Sequence, residues 1–484
     1  MTGRRGSVVE TMGGSPMTRR WGRKALCLLG IAVAFSAVAA GQAVAGEGKL
    51  EGYVQHRSEY AFRDPTRYAV SEFTANMDFK YEYNEQWKAR AILRGIYDGV
   101  YDFTDRADFH KAIAADRTLR TDGDMLVREI YVDYMPFTAL KLRLGKQMLS
   151  WGETDGLRLM DMINPLDLRR GYLTRAFEDT RIPLWMLRAD YDIPGLERYK
   201  TYVEFLWIDD FAVNRIAPEG AAWAPANPIF LQNQFAALAG LGLVPVLTDN
   251  PRTQTLKNSR FGAKLSSHVG GADITLNYLH TFADDAVFKF RGISGTNFNL
   301  EQVYPWKNVV GVTANYDLGM AVLRTEIAYE FNKDFQNVTM PDWTQDSDYL
   351  KAMVGFDYNL IIPGFNRDRS FFISGQAFDF HIKDHDDNII NIPYGYTVKK
   401  DEPILTLLVN TGFLNDTIKP QMFVAYDVAY GGWWINPSVG LEFGTHWRFE
   451  AGANWFEGRH DRQRLPFSAF EGDSTAYAQI RRQF

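Results

Sequence analysis

From about residue 48 to residue 484 the chain repeats one pattern, stretches of strand length in which apolar and polar side chains alternate. Phe73, Ala75, Met77, Phe79, Tyr81 and Tyr83 alternate with Thr74, Asn76, Asp78, Lys80 and Glu82. Ala321, Leu323, Thr325, Ile327, Tyr329 and Phe331 alternate with Val322, Arg324, Glu326, Ala328 and Glu330. A period of two belongs to a strand with one apolar and one polar face. Eighteen such segments can be marked, at 48–62, 68–83, 86–102, 125–136, 139–151, 181–192, 199–212, 256–268, 271–284, 302–317, 320–333, 348–361, 369–381, 402–413, 418–430, 433–445, 447–459 and 474–484. Their lengths suit tilted membrane spans, which need about ten residues each. Boundaries read this way are good to a few residues, so sixteen strands is the alternative count.

The connections add a second regularity. Short turns at Asn84-Glu85, Phe137-Thr138, 192–200 and later positions alternate with long loops at 103–124, 152–180, 213–255, 285–301, 334–347 and 382–401. Short periplasmic turns and long outer loops mark a transmembrane antiparallel up-and-down β-barrel of the bacterial outer membrane. An even strand count puts both ends of the barrel domain, 46–484, on the periplasmic side. Composition agrees. Aromatics make up 14% of the chain at a mean hydropathy of only −0.27, as one-sided strands require.

The one long apolar run is near the start, CLLGIAVAFSAVAA, preceded by Arg19, Arg20, Arg23 and Lys24 and followed by Ala43-Val44-Ala45. Residues 1–45 read as a cleaved secretory signal peptide, with Met17 as the initiator. Cys27, the single cysteine, lies in that leader, so the mature chain has no disulfide or thiolate chemistry. Without the leader, 47 basic residues face 58 acidic ones. That excess of acid argues against nucleic acid as a partner. The partners expected of such a chain are outer-membrane lipid and lipopolysaccharide, and the barrel assembly machinery. The terminal strand TAYAQIRRQF resembles the signal that machinery reads, with Phe484 and Ile480 on its lipid face and Arg482 as a departure from the pattern.

Inward-facing charges are expected at Lys88, Arg90 and Arg94, at Glu129 and Asp133, at Lys141 and Arg143, and at Arg324 and Glu326. Basic and acidic strands side by side pair across a sheet, either as a track for a solute or as a lattice that keeps the barrel round. The stretch after the strand at Leu140–Leu144 changes character. It brings Trp151, Glu153, Asp155, Arg158, a helix-like piece at Leu157–Met162 that includes Asp161, then Asn164-Pro165, Asp167, Arg169 and Arg170. Eighteen strands enclose a lumen wide enough to conduct unless a loop narrows it, and loop 152–180 is the candidate constriction, or a latch to the wall. In loop 213–255, Phe230, Phe235, Leu238, Leu241 and Leu243 lie in a nearly uncharged run. Leaving each of them in water costs about 1.5–3 kcal/mol. The run is expected to plug the mouth, rest in lipid or line an apolar ligand site.

No nucleophile elbow, H-E-x-x-H or P-loop is present, so no enzyme activity and no cofactor is expected. His381 and His385, with Asp384, Asp386 and Asp387, would share a helix face as metal ligands do. A polar loop at a strand end explains them more simply, and no metal is expected.

The run Gly145-Lys146-Gln147, Trp151-Gly152-Glu153, Asp161, Asn164-Pro165 and Asp167 resembles the G-[RK]-Q…W-G-E…D-x-x-N-P-x-D signature of a bacterial outer-membrane barrel family of unknown function. There is a looser similarity to eighteen-stranded substrate-specific porins and alginate-export barrels. The family resemblance implies work beside a periplasmic lipid-carrier-like protein and an inner-membrane exporter of the RND/MMPL type, hence passage of hydrophobic or amphiphilic compounds. A diffusion porin for small hydrophilic solutes and a non-transporting surface receptor are the alternatives.

Overall fold

The computed structural model describes residues 46–63, 66–122, 125–171, 174–224, 236–250, 255–392, 396–458 and 467–484. The signal peptide, Phe230 and Phe235 lie outside the described residues. Eighteen strands form one closed antiparallel barrel. They are β1 Glu47–Ala61, β2 Arg67–Glu82, β3 Trp87–Asp98, β4 Val127–Phe137, β5 Leu140–Gln147 and β6 Leu184–Asp192. Then come β7 Tyr202–Ile208, β8 Arg260–Val269, β9 Ala272–Phe282, β10 Trp306–Asp317, β11 Ala321–Asn337 and β12 Thr344–Ile362. The last six are β13 Asn366–Ile382, β14 Ile404–Asn410, β15 Ile418–Asp427, β16 Gly432–Phe443, β17 Trp447–Glu457 and β18 Thr475–Gln483. β1 pairs with β18, from Tyr53 opposite Gln483 to Ala61 opposite Thr475. Closure gives every strand a partner on both sides, the condition for placing backbone N–H and C=O groups in lipid.

The alternation sorts the side chains. Phe73, Phe79, Ile130, Val132, Leu144, Leu323, Ile327, Val354 and Phe356 are exposed on the outer face, whereas Glu129, Asp133, Glu204, Glu326 and Glu330 are buried inside. Arg482 shares the outward parity of Ile480 and lies over the Trp447 ring at 5.7 Å, its charge lodged against an aromatic rather than bare in the belt. Among the described residues no helix is long and apolar enough to cross a membrane.

The long connections all fall at one end of the barrel, here called the loop end, which also carries brief ones at 62–66, 338–343 and 428–431, so the expected long loop 334–347 is a short turn. Several boundaries differ from expectation. β5 stops at Gln147, so Trp151 lies beyond the strand. β10 starts at Trp306, because residues 287–303 form a hairpin of their own, Val287–Ser294 with Asn297–Val303. That hairpin takes Val244–Asp249 as a parallel third strand. Phe298 and Leu300 of the hairpin pack with Leu238, which is how this part of the apolar loop is buried. Leu241 is not buried; it stays 75% exposed. A helix, α1 Ala107–Ala115, lies in the loop after β3, and a long connection, 458–474, precedes β18; the sequence marked neither.

Two apolar clusters fill the loop end. One joins Val100, Tyr101, Phe109, Leu119, Trp223, Phe467 and Phe470 from three loops to Val70, Trp434 and Phe456 of the wall. The other joins Leu149, Trp151, Leu159, Met160, Met162 and Ile163 to Leu184, Leu206, Leu279, Val309, Met353 and Phe378. Hence Glu59, Glu204 and Glu326, inward residues that an open pore would bathe in water, are 0% exposed.

Candidate functional site

Residues 148–171 leave the wall after β5, fold into the barrel and reach its opposite side, and 174–183 lead back to β6. Two backbone features start the departure. Gly152 has φ +113°, and a Cβ there would lie 2.8 Å from Glu326 Oε1, so a larger residue could not pass this close to the wall. The expected helix at Leu157–Met162 does not form. Of its N–H groups, that of Met160 goes to the wall and that of Met162 to Met160 O instead.

Glu326 is the central anchor. Its Oε2 accepts the Glu153 N–H at 2.6 Å and its Oε1 accepts the Met160 N–H at 2.6 Å. Two residues along the same face, Arg324 donates to Glu153 O at 2.8 Å, to Asp155 at 2.6 Å and to Asp357 at 2.7 Å. Gln376 of β13 accepts the Asp155 N–H and donates to its carboxylate, both at 3.1 Å. On the other side Trp151 Nε1 donates to Glu204 at 2.5 Å, and Arg188 and Lys264 complete that carboxylate's shell. A carboxylate acceptor makes bonds of the stronger, charge-assisted kind.

Shape follows the same plan. Trp151 rests against Gly262 and Met160 against Gly311; a Cβ would meet the Trp151 ring at 2.8 Å at the first, and Met160 Cγ at 2.5 Å at the second. Inward-facing glycines in strands mark such close approaches. We expect Gly311→Val to push Met160 off the wall at about 1–3 kcal/mol, the usual cost of overpacking. Limited proteolysis should then cut within 153–170 in the variant and spare the wild type.

The N-P-x-D part closes the base. Asn164 Oδ1 accepts the Leu149 N–H at 2.8 Å and its Nδ2 donates to Ile182 O at 2.8 Å, buckling the start of the segment to its end. Asp161 accepts Arg181 at 2.7 Å and pairs with Arg158 at 3.2 Å. Asp167, Asp116 and Asp122 surround Arg169, and Arg170 bonds Asp122 and the Thr118 and Leu119 carbonyls. Burial works against the Asp167 charge, yet the bonded Arg169 holds its carboxyl below the usual range. Burial prevails at Asp122, whose carboxyl is raised despite Arg170 and Arg169.

The wall charges separate into two groups. Arg143 and Lys141 pair with Asp133 at 2.6 and 3.3 Å, across β4 and β5 as anticipated. The β3 cations turn the other way. Arg90 grips Asp78 of β2 at 2.8 and 2.7 Å, and Lys88 pairs with Glu82 at 3.2 Å. Arg94 pairs with Asp179 of the inserted segment at 2.9 Å, and Glu129 accepts the Met148 N–H at 3.1 Å. His381 and His385 sit on a strand end and a turn rather than one helix face, the first against Asp401 at 2.5 Å and the second against Val398 O at 2.8 Å. Sequence reasoning missed the wall partners Glu204, Gln376 and Asp357, and also Glu72, which pairs with Arg170 at 3.5 Å and Arg175 at 3.2 Å, and Glu59, which pairs with Arg175 at 3.5 Å. Isolated inward carboxylates and inward glycines on otherwise regular strands were the available signal.

Beside the segment lies a cavity of about 410 Å³. Leu157, Met162, Leu166, Phe335, Phe380 and Ile390 give it apolar walls, and Lys307, Lys333, Lys351, Glu330, Asp284 and Glu402 give it charge. Burial raises the Asp284 and Glu402 carboxyls above their ordinary values. An acid with a raised folded-state pKa favours the fold most while protonated, and that contribution is lost as pH rises through the raised value. Acidification thus removes negative charge here before it touches ordinary carboxylates. Reversal potentials of the reconstituted protein should shift toward anion selectivity as pH falls toward the ordinary carboxylate range, while exposed carboxylates are still ionised.

Among the curated proteins none matches the sequence. Solved structures that resemble it include Acinetobacter baumannii OccAB3, at 10% identity and TM-score 0.48, covering 90% of this chain and 98% of that one. Pseudomonas aeruginosa OccK5 matches at 9% identity and TM-score 0.45, with 90% and 97% covered. The Vibrio cholerae outer-membrane protein OmpT lacking loop L8 matches at 11% identity and TM-score 0.41, with 91% and 100% covered. The family match spans the wall and the inserted segment together, residues 58–484: the chain belongs to the family described as protein of unknown function, DUF1302.

Proposed function

We propose that this barrel is a transport channel of the bacterial outer membrane for hydrophobic or amphiphilic compounds, with loop 152–180 constricting its lumen. The observation that carries the reading is the cavity between that segment and the wall, lined by apolar and charged side chains together. Its volume is in the range of small-molecule sites, about 300–1,000 Å³, and its mixed lining suits a molecule with a polar head and an apolar body. A periplasmic carrier and an inner-membrane exporter would supply such cargo, and a cleaved leader and the barrel assembly machinery would deliver the protein to its membrane. The test is transfer of a fluorescent long-chain amphiphile across liposomes holding the purified barrel, against transfer of a small sugar. Faster transfer of the amphiphile supports the reading, and passage of the sugar alone overturns it.

A second reading, a diffusion porin for small hydrophilic solutes, is favoured by the Asp78–Arg90 and Asp133–Arg143–Lys141 ladder on β2 to β5. Arg90 and Lys141 there keep 35% and 38% of their side-chain surface exposed. The same assay separates the two.

A further inference from the structure

β10 and β11 part near the loop end. Their ladder ends at Asn308 opposite Phe331. Asn332 then takes a left-handed conformation, φ 47°, and the register of β11 against β12 shifts between Glu330 and Lys333. A bulge of this kind bends a strand and ends its pairing. Beyond it β11 keeps β12 on one edge, while the other edge is taken up only at Gln336 and Asn337, by residues 389–390 of a loop. Among the described residues, no ladder pair joins 332–335 to β10, a break of about 13 Å at 3.3 Å per residue.

The cavity lies against this break. It is lined by Trp306 and Lys307 of β10 and by Lys333, Asp334, Phe335 and Gln336 of β11. Successive residues of a strand point to opposite faces, so a cavity touching four in a row passes round the strand edge instead of stopping at the inner face. Polar contacts from the 287–294 strand bridge the break: Phe288 N–H donates to Gln336 Oε1 at 2.8 Å, Gln336 Nε2 donates to Phe288 O at 3.0 Å, and Lys289 pairs with Asp334 at 3.3 Å. Trp306 stacks on His280 at 4.3 Å, and Phe331 is 40% exposed. Aromatics of this kind belong to the membrane–water boundary, where a break in the ladder leaves no backbone group stranded in hydrocarbon.

Of the three lysines inside the break, only Lys351 makes an ion pair among the described residues, while Glu330 acts at longer range on Lys307 and Lys333, Asp284 on Lys307 and Glu402 on Lys333. Asp161 is taken by Arg158 and Arg181, Asp334 by Lys289, and Glu402 by the Tyr430 hydroxyl. Lys351 pairs with Glu330 at 3.5 Å, and Lys307 and Lys351 both point Nζ at Met162 Sδ, at 3.8 and 3.6 Å. Lys333 lies over the Tyr349 ring at 4.3 Å. Asp284 and Asp285 line the cavity from the loop side. We propose that the break between β10 and β11 is a side window through which an amphiphile with an anionic head passes between this cavity and the membrane boundary, its head received by Lys307, Lys333 and Lys351. This rests on the transport reading above and adds the route and the head group to it.

Cys27 is the only cysteine of the chain and precedes the barrel, so Lys289→Cys with Asp334→Cys can be joined across the window by a short, reducible bis-thiol linker. The probe is a fluorescent long-chain carboxylate in liposomes, with ion conductance recorded in parallel. The window predicts that linking slows carboxylate transfer about tenfold or more, as a closed gate does, that reduction restores it, and that conductance is unchanged. Lys289→Ala with Asp334→Ala should speed transfer. Linked protein that transfers at the unlinked rate overturns the window and leaves the transport reading standing. If the unmodified barrel moves no amphiphile at all, both fall. An amine-headed analogue transferred equally well overturns the role of the lysines.

Discussion

Glu326→Ala should release the inserted segment from the wall. One carboxylate holds both the Glu153 and Met160 amides, and hydrogen bonds to a charged group contribute about 1.5–3 kcal/mol each. Loss of the pair therefore weakens local closure by about 3–6 kcal/mol, less what is regained by no longer burying a carboxylate. Hydrogen exchange at 153–160 should accelerate by about a hundredfold or more, while the β10–β12 ladder stays protected. Glu326→Gln is the informative partner. It keeps one acceptor and turns an NH₂ toward the other amide, so it should resemble the alanine more than the wild type. Slow exchange in both variants would mean that apolar packing alone holds the segment.

Trp151→Ala should be the largest single loss in the apolar half of the anchor. The ring is 1% exposed and sits against Gly262. Truncating a buried Trp costs about 3–5 kcal/mol. Trp151→Phe keeps most of the packing and removes one donor from Glu204, which retains Arg188 at 2.9 Å; a cost of about 1–3 kcal/mol is expected. Melting in detergent, followed by tryptophan and by heat-modified gel mobility, reads both. Equal effects of Ala and Phe would assign the anchor to the hydrogen bond rather than to the ring.

The barrel was legible because its signal is local: period two along each strand, and turn length between strands. Arg324 and Glu326 could be placed inside from parity alone, against Leu323 and Ile327 outside. What those two residues hold could not. The grip of Glu326 on Glu153 and Met160 spans more than 160 positions, and no pattern in either stretch encodes the other. The same holds for Trp151 and Glu204. The helix-like reading of 157–162 failed for a related reason, since its spacing suits a helix but the Met160 N–H is drawn to a wall carboxylate distant in sequence and the Met162 N–H closes a tighter turn on Met160 O. Loops 285–301 and 213–255 looked unstructured one at a time and became a three-stranded sheet only when paired with each other. For Arg90 the parity was right and the partner was not, because Asp78 on β2 offers a two-oxygen fit.

The central claim is that the segment beyond β5 narrows the lumen. Single-channel conductance in a planar bilayer, for the barrel with and without Gly156–Arg170, tests it most directly. We predict a small or silent intact channel and a deletion variant that conducts several-fold more, since an eighteen-stranded wall alone encloses a water-filled passage. Equal conductance from both, with insertion verified, would contradict the account; silence from both would place the blockage in the other loop cluster and count against a channel.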